Sequence, residues 1–248
     1  MAVMNEILDS RSFSDFCGVS SPDEVPNGDT IGRFRNLLIK HGIDEKIFSQ
    51  VLSILNKHKL ILKKGTIVDS TLIAAPSSTK NADKKRDPDA HSVKKGNQWH
   101  FGYKAHIGVD KDTGLVHHVK ATAANVHDTE AAGEVIYGEE DDFYGDSGYL
   151  NVEEHIPEEK KKEGREYHIN RRRGAKKKLE PNEALIFEIE EFNKSTVRSK
   201  VEHVFGVVKK LFRFRRTRYR GLRKQQAKFN IIFALANLYL ADKKKLLA

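Results

Sequence analysis

The sequence predicts an α/β protein: a mixed sheet flanked by helices, with a small N-terminal helical appendage. Three observations carry that expectation. Apolar residues recur at helical spacing up to about residue 62. Strand-like runs begin abruptly at Gly65, and two long helical segments follow Pro181. The 248 residues, 38% of them hydrophobic, suffice for one large domain or one domain with an appendage. No apolar run approaches the roughly 18 residues of a membrane span. "AVMNEILDSRSF" lacks the basic start and apolar core of a signal peptide. Cys17 is the only cysteine, so an intrachain disulfide and a cysteine-based zinc site are both excluded. A cytoplasmic protein with no membrane partner is expected.

The elements follow in order. "DTIGRFRNLLIKHG" opens on a capping residue, Asp29 or Thr30, carries Ile31, Phe34, Leu37 and Leu38 at helical spacing, and stops at Gly42. "IDEKIFSQVLSILNKHKLI" repeats the pattern. "TIVDSTLIA" is a strand. Residues 77 to 98 are polar, basic and nearly free of apolar side chains, so they read as a long loop. "WHFGYKAHIGVD" and "LVHHVKATAA" are strands joined by the turn "KDTG". "TEAAGEVIYG" is a short helix, "DDFYGDSGYL" a strand ending in turn residues, and "EYHIN" a further short strand inside a charged stretch. A long helix spans Pro181 to Phe212, and after a basic connector "KFNIIFALANLYLADKK" forms the last helix.

Charge narrows the function. The net charge is +9, and such an excess favours a polyanionic partner. Lys194 to Lys228 holds thirteen Lys and Arg, while Glu202 is the single acid from Asn193 to Ala241. An ordinary solvated surface mixes signs more evenly.

Three carboxylates stand out. Asp69 interrupts the apolar run of "TIVDSTLIA", where an unpaired charge costs several kcal/mol. Taken alone it reads as a turn residue after a short strand. Asp146 in "FYGDSGY" follows a strand and precedes small residues. Taken alone it reads as an Asx turn. Glu202 shares a helix face with Arg198 and Lys209, beside the stripe Val197, Val201, Val204, Val208 and Leu211. An exposed Arg198–Glu202 pair, at about 0.3–0.5 kcal/mol, explains the pairing but not the place of the acid at the edge of the core. Together the three suit Mg²⁺ or Mn²⁺, which prefer carboxylate oxygens. Two such ions about 3.5–4 Å apart can clamp an in-line phosphoryl transfer, and the three carboxylates are expected to converge.

In chain order, "GTIVDSTLIAAPSSTKNADKKRDPDAH", "KKGNQWHFGYKAHIGVD", "ATAANVHD", "YGDSGY" and "VEHVFGVVKK" closely resemble the insertion-sequence-five family of bacterial transposases. These belong to the DDE group with a ribonuclease-H-like catalytic core, and the resemblance covers roughly Asp29 to Asp242. It implies that Asp69, Asp146 and Glu202 are the catalytic, metal-holding triad and that two Mg²⁺ (or Mn²⁺) ions are the cofactors. It matches Arg198 and Lys209 to the basic residues flanking the family's glutamate. Ser195 stands where a tyrosine is sometimes found, so no role for that tyrosine carries over. The implied partner is double-stranded DNA, both element ends and target, bound by a homo-oligomer in the bacterial nucleoid. The implied reaction is cleavage at the element end followed by strand transfer. The expected division is a helical appendage over 1–62, a DDE domain over 63–242 and a basic tail over 243–248. Only the tail of the family's longer helical region is recognisable before the core, which predicts a shortened copy with weakened recognition of transposon ends.

DNA contacts are expected from Lys80, Arg86, Lys94 and Lys95 in the loop after Asp69, and from Arg198, Lys209, Arg213, Arg215, Arg216 and Arg218. Trp99 or His100 is a candidate for touching a base. In "FRFRRTRYRG" the aromatics should point inward and the arginines outward. Asp128 reads as a helix cap, the role of His127 is open, and His117 and His118 read as structural. "KKKEGREYHINRRRGAKKK" reads as a solvated flap that becomes ordered on DNA. Two other readings compete: a ribonuclease-H-like endonuclease that cuts without joining, and a non-catalytic DNA-binding remnant.

Overall fold

The structure, a computed structural model, describes residues 2–82 and 84–245. Asp83 in the predicted loop and residues 246–248 of the predicted basic tail lie outside the described residues. The chain forms two compact units, Met1–Asp44 and Glu45–Ala248.

The first unit is helical, with α1 (Ala2–Asp9), α2 (Arg11–Cys17) and α3 (Gly28–Lys40). Ser10 caps α2, and Gly18 ends it in the left-handed conformation. Asn27 caps α3 by accepting a hydrogen bond from the Thr30 amide at 2.8 Å. The cap expected at Asp29 or Thr30 therefore lies two or three residues earlier, because Asn27 supplies an acceptor at the N-cap spacing. The next helix, α4 (Ile43–Lys57), sends Phe48, Val51 and Leu55 into the core of the second unit.

The second unit is a mixed α/β fold built on a six-stranded sheet flanked by helices, consistent with a ribonuclease-H-like fold. Its strands are β1 (Gly65–Ala74), β2 (His91–Lys95), β3 (Gln98–Asp110), β4 (Val116–Ala123), β5 (Asp142–Gly145) and β6 (Glu166–Ile169). β1 pairs antiparallel with β3 from Thr66 to Ala74, and β2 and β4 occupy the far edge of β3 in succession. On its other side β1 pairs parallel with β5, from Gly65 to Ile67 only, and β5 with β6. Residues 91–95, expected within a loop, are thus a strand. Gly96, at φ 60°, makes the tight turn that folds them onto Gln98–Gly102, and their polarity is that of a solvated edge strand.

Side-chain alternation along β1 divides the core. Ile67 and Ile73 face the larger core, closed by α4, α6 (Pro181–Gly206) and α7 (Leu222–Lys243). Val68 faces a smaller core with Ala132, Val135, Phe143 and Tyr149. That second layer holds α5 (Asp128–Ala132) and a 3₁₀ turn, Gly133–Val135, which presses on the sheet at Gly108. A Cβ there would lie 1.8 Å from the Val135 carbonyl oxygen.

Helix α6 starts with Pro181 in its first turn and a capping box between Glu180 and Glu183. Val201, Val204 and Val208 are buried as the stripe predicts, but Leu211 is 50% exposed. A π-helical turn, Val207–Leu211, explains the departure, because its wider turn rotates the last stripe residue out of line. Phe212 and Phe214 pack against the core while Arg213, Arg215, Arg216 and Arg218 are exposed. Part of the charged stretch before α6 contacts that helix. Arg171 pairs with Glu190 at 2.6 Å and covers the Phe187 ring, and Lys176 pairs with Glu188. Helix α7 closes the open edge of β4 with side-chain amides. Asn237 bonds both the N–H (2.8 Å) and the C=O (2.7 Å) of Val116, and Gln226 bonds Ala121 N–H and Val119 C=O.

Candidate active site

The site begins where β5 ends. The parallel register places Ile67 beside Tyr144, and Asp146, two residues further on and extended (φ −79°, ψ −179°), is near enough for its charge to raise the Asp69 pKa. Further along the same edge of β1, Ala74 pairs with the basic connector through Arg215 and Arg216. Asp69 therefore lies in a slot on the β1 edge, between the end of β5 and the connector.

Backbone amides fix one oxygen of each aspartate. Asp69 Oδ1 accepts from Ser70 N–H at 2.7 Å, and Asp146 Oδ1 accepts from Gly148 N–H at 2.8 Å. A Cβ at Gly148 would come within 2.9 Å of that oxygen and would have to displace it. The turn read into Asp146 is present, and it orients the carboxylate.

Asp69 Oδ2 faces Arg198 NH2 of α6 at 3.7 Å. Arg198 NH1 donates to Asn170 Oδ1 at 2.7 Å, and Asn170 is held by Glu191 at 2.8 Å, so the guanidinium is anchored from behind. Burial is the strongest influence on the Asp69 carboxyl and raises its pKa. Ser70 N–H and Arg198 act in the opposite direction, Asp146 and Asp128 reinforce the rise, and the balance is a pKa pushed up to about 6. The protein thus leaves this carboxylate's charge only partly compensated. Two carboxylates, each oriented by a backbone amide, fit a hard divalent cation.

Glu202 lies one turn beyond Arg198, is exposed, and lines an open cavity of about 620 Å³ with His203, Lys210, Tyr239 and Lys243. Among the described residues, the donor atoms of Asp69, Asp146 and Glu202 do not all lie within 4.8 Å of one another. Arg198 stands beside Asp69, and the Asp146 charge acts on the Asp69 carboxyl. Asp142, Glu166 and His168 do approach this closely, at the start of β5 rather than its end. There burial alone would raise the Asp142 carboxyl. Hydrogen bonds from Lys111 and His168 outweigh it and hold the carboxyl below its usual range, as in an ion-pair cluster.

Residues 61–238 match the family described as Transposase DDE domain, which spans more than half of the chain. The chain belongs to the transposase DDE domain family. No solved structure matches this transposase. Family membership makes it a transposition enzyme acting on DNA, of a class that generally uses divalent metal ions. Among the described residues of the transposase, no helix is long and apolar enough to cross a membrane.

A further carboxylate of the transposase, Asp128, acts on Asp69. Asp128 Oδ1 accepts from Ser70 Oγ at 2.8 Å and from Lys104 Nζ at 3.0 Å, and faces His106 Nδ1 at 3.7 Å. Its charge reaches both Asp69 and the buried Tyr149 hydroxyl. The cap expected at Asp128 is made instead by His127, whose Nδ1 meets Thr129 Oγ1 at 2.8 Å and takes Thr129 N–H. Asp128 is freed to turn toward the sheet. The sequence signal was an acid directly after the cap position, and what it lacked was the partner.

The predicted DNA contacts cluster in part. Lys209, half-buried in the π turn, has its pKa lowered first by burial and then by Lys95 and Arg215, so residues from three segments share one positive field. Arg86 lies over the Phe101 ring and lines a second cavity with Arg216. Lys94 stands beside Trp99 in the β2–β3 register. Lys80, Arg213 and Arg218 are exposed, and Arg198 is committed to Asp69.

Proposed function

We propose that this chain is a DDE transposase of the insertion-sequence-five type, which cuts DNA at the ends of an insertion sequence and joins the freed strand to target DNA. The observation that carries the proposal is the juxtaposition of Asp69 and Asp146 at the open end of β5, with Asp69 partly uncompensated and Arg198 beside it. The catalytic region is 63–242, acting as a homo-oligomer on DNA in the bacterial nucleoid. Asp69 and Asp146 would hold Mg²⁺ or Mn²⁺, two ions in all, with Glu202 completing the set. Bound there, the ions would lower the pKa of water and offset charge on phosphoryl oxygens. Ser70 N–H and Gly148 N–H keep the two carboxylates oriented. Arg198 meets a phosphate oxygen as it loosens from Asp69. Lys95, Lys209 and Arg215 grip the backbone beyond the scissile bond. Water adds to phosphorus, the P–O3′ bond breaks, and the leaving 3′ oxygen takes up a proton. The resulting 3′-hydroxyl then attacks a target phosphodiester and displaces its 3′ oxygen.

One observation favours a second reading. Among the described residues the three carboxylates do not all come within 4.8 Å of one another, as a DNA-binding remnant without cleavage would allow. A cleavage and strand-transfer assay on DNA carrying terminal repeats separates the readings. Asp69→Asn, Asp146→Asn and Glu202→Gln should each abolish Mg²⁺-dependent product while sparing DNA binding. Wild-type protein no more active than these variants establishes the remnant. Cutting without joining establishes an endonuclease.

A further inference from the structure

The chain contains one tryptophan, and it is 70% exposed. Tryptophan is highly buried on average in folded proteins. Trp99 stands at the rim of a concave cavity of about 430 Å³, beyond the C-terminal end of β1. The volume is in the range of roughly 300–1,000 Å³ common for small-ligand sites. Arg86, Arg216 and His100 line the same cavity, with the Ser77 and Ser92 side chains offering hydroxyls. Lys94 pairs in register with Trp99 across the hairpin and stands on the same face. The walls are tied down. Asp87 accepts from Tyr103 Oη and Gly221 N–H, and Asp89 from Leu222 N–H, so the segment carrying Arg86 is anchored to the start of α7. The connector carrying Arg216 is held to Ala74 by backbone bonds on either side.

We infer that this cavity binds an unpaired nucleobase of single-stranded DNA, with the base stacked on the Trp99 indole and the flanking phosphates held by Arg86, Lys94 and Arg216. A duplex buries its base faces in its own stack and offers such a ring nothing flat. A single strand offers a base face and a phosphate within one nucleotide, the combination of partners that the cavity displays. Trp99 is eight strand residues along β3 from the level of Asp69, since Asp69 pairs with Ile107. At about 3.3 Å per residue that places the Trp99 ring roughly 25 Å along β3 from Asp69, several nucleotides along a DNA strand held at the slot. The inference rests on the nucleic-acid reading of the protein but not on cleavage.

The sole tryptophan makes the test direct. Indole fluorescence of the full chain is titrated with oligothymidylate, with an abasic oligomer of equal length and phosphate number, and with duplex DNA, all without metal. Oligothymidylate should quench the emission and bind at least about ten-fold more tightly than the abasic oligomer. Trp99→Ala should remove that preference while leaving abasic binding unchanged, and Trp99→Phe should retain most of it. Arg86→Gln and Arg216→Gln should weaken both oligomers alike. Equal quenching and affinity for oligothymidylate and the abasic oligomer would overturn the inference in favour of phosphate contact alone. An equal response to duplex would overturn it in favour of groove contact. Loss of cleavage in Asp69→Asn with this signal intact tests the proposed reaction separately, so the two can fail independently.

Discussion

At the scale of single residues, Asp69 binds a proton more tightly in the fold than in the unfolded chain, with a pKa of about 6 against 3.8. Its ionisation therefore costs stability above pH 6, and the protein regains that stability as pH falls toward 4. Asp69→Asn should raise the melting temperature of metal-free protein at pH 8, and the advantage should vanish near pH 4, as calorimetry can check. The shift corresponds to about 2–3 kcal/mol. Asp128 should act through position. Removing its charge in Asp128→Asn loosens Ser70, the residue whose amide fixes Asp69. Cleavage should fall about ten- to a hundred-fold with DNA affinity unchanged, the size of effect a small displacement produces. Asp69 and Asp146 were singled out in sequence because a charge in an apolar run, or at a strand's end before small residues, is locally anomalous, although each taken alone reads as a turn residue and only the resemblance pairs them. Asp128 was not, because its partners Lys104 and Ser70 are 24 and 58 residues away.

At the scale of elements, periodicity announced the long helices and the β3–β4 hairpin because each buries one continuous face. It missed β2, whose residues face solvent and whose pairing depends on the turn at Gly96. It also missed the π turn, which no spacing of apolar residues encodes. The polar side chains buried under α7 have a task that composition alone hides. Asn237 is fully buried and replaces a missing strand along Val116. Asn237→Leu would strand a donor and an acceptor of β4 away from water. We expect a loss of roughly 2–4 kcal/mol in denaturant unfolding, with local fraying of β4 in hydrogen exchange.

At the scale of the whole molecule, the fold gathers charge that the chain disperses. Lys95, Lys209 and Arg215 come from a hairpin, a helix end and a connector. Lys209→Ala should weaken binding to all DNA sequences alike and reduce the slope of log affinity against log salt by about 0.9. Acid should unfold the protein early. His106, His117 and His118 are kept neutral, with pKa values lowered chiefly by burial, to about 4 for His106 and His118. The unfolded chain binds these protons between about pH 6.5 and 4 and the fold does not, so stability falls with pH there by up to about 1.4 kcal/mol per pH unit for each histidine. Asp69 opposes this with a single proton, so the histidines dominate. His118→Phe should flatten the pH dependence of the urea midpoint.

The two strands that bear the aspartates are joined unequally. β1 is laced to β3 along its length from Thr66, but its ladder with β5 stops at Ile67, before either carboxylate is reached. The orientation of Asp69 is therefore mechanically stiff, whereas its separation from Asp146 is compliant. A phosphorus centre that passes from four oxygen neighbours to five and back needs walls that yield by tenths of an ångström. In the proposed reaction, the unpaired end of the β1–β5 ladder is where such yielding would fall.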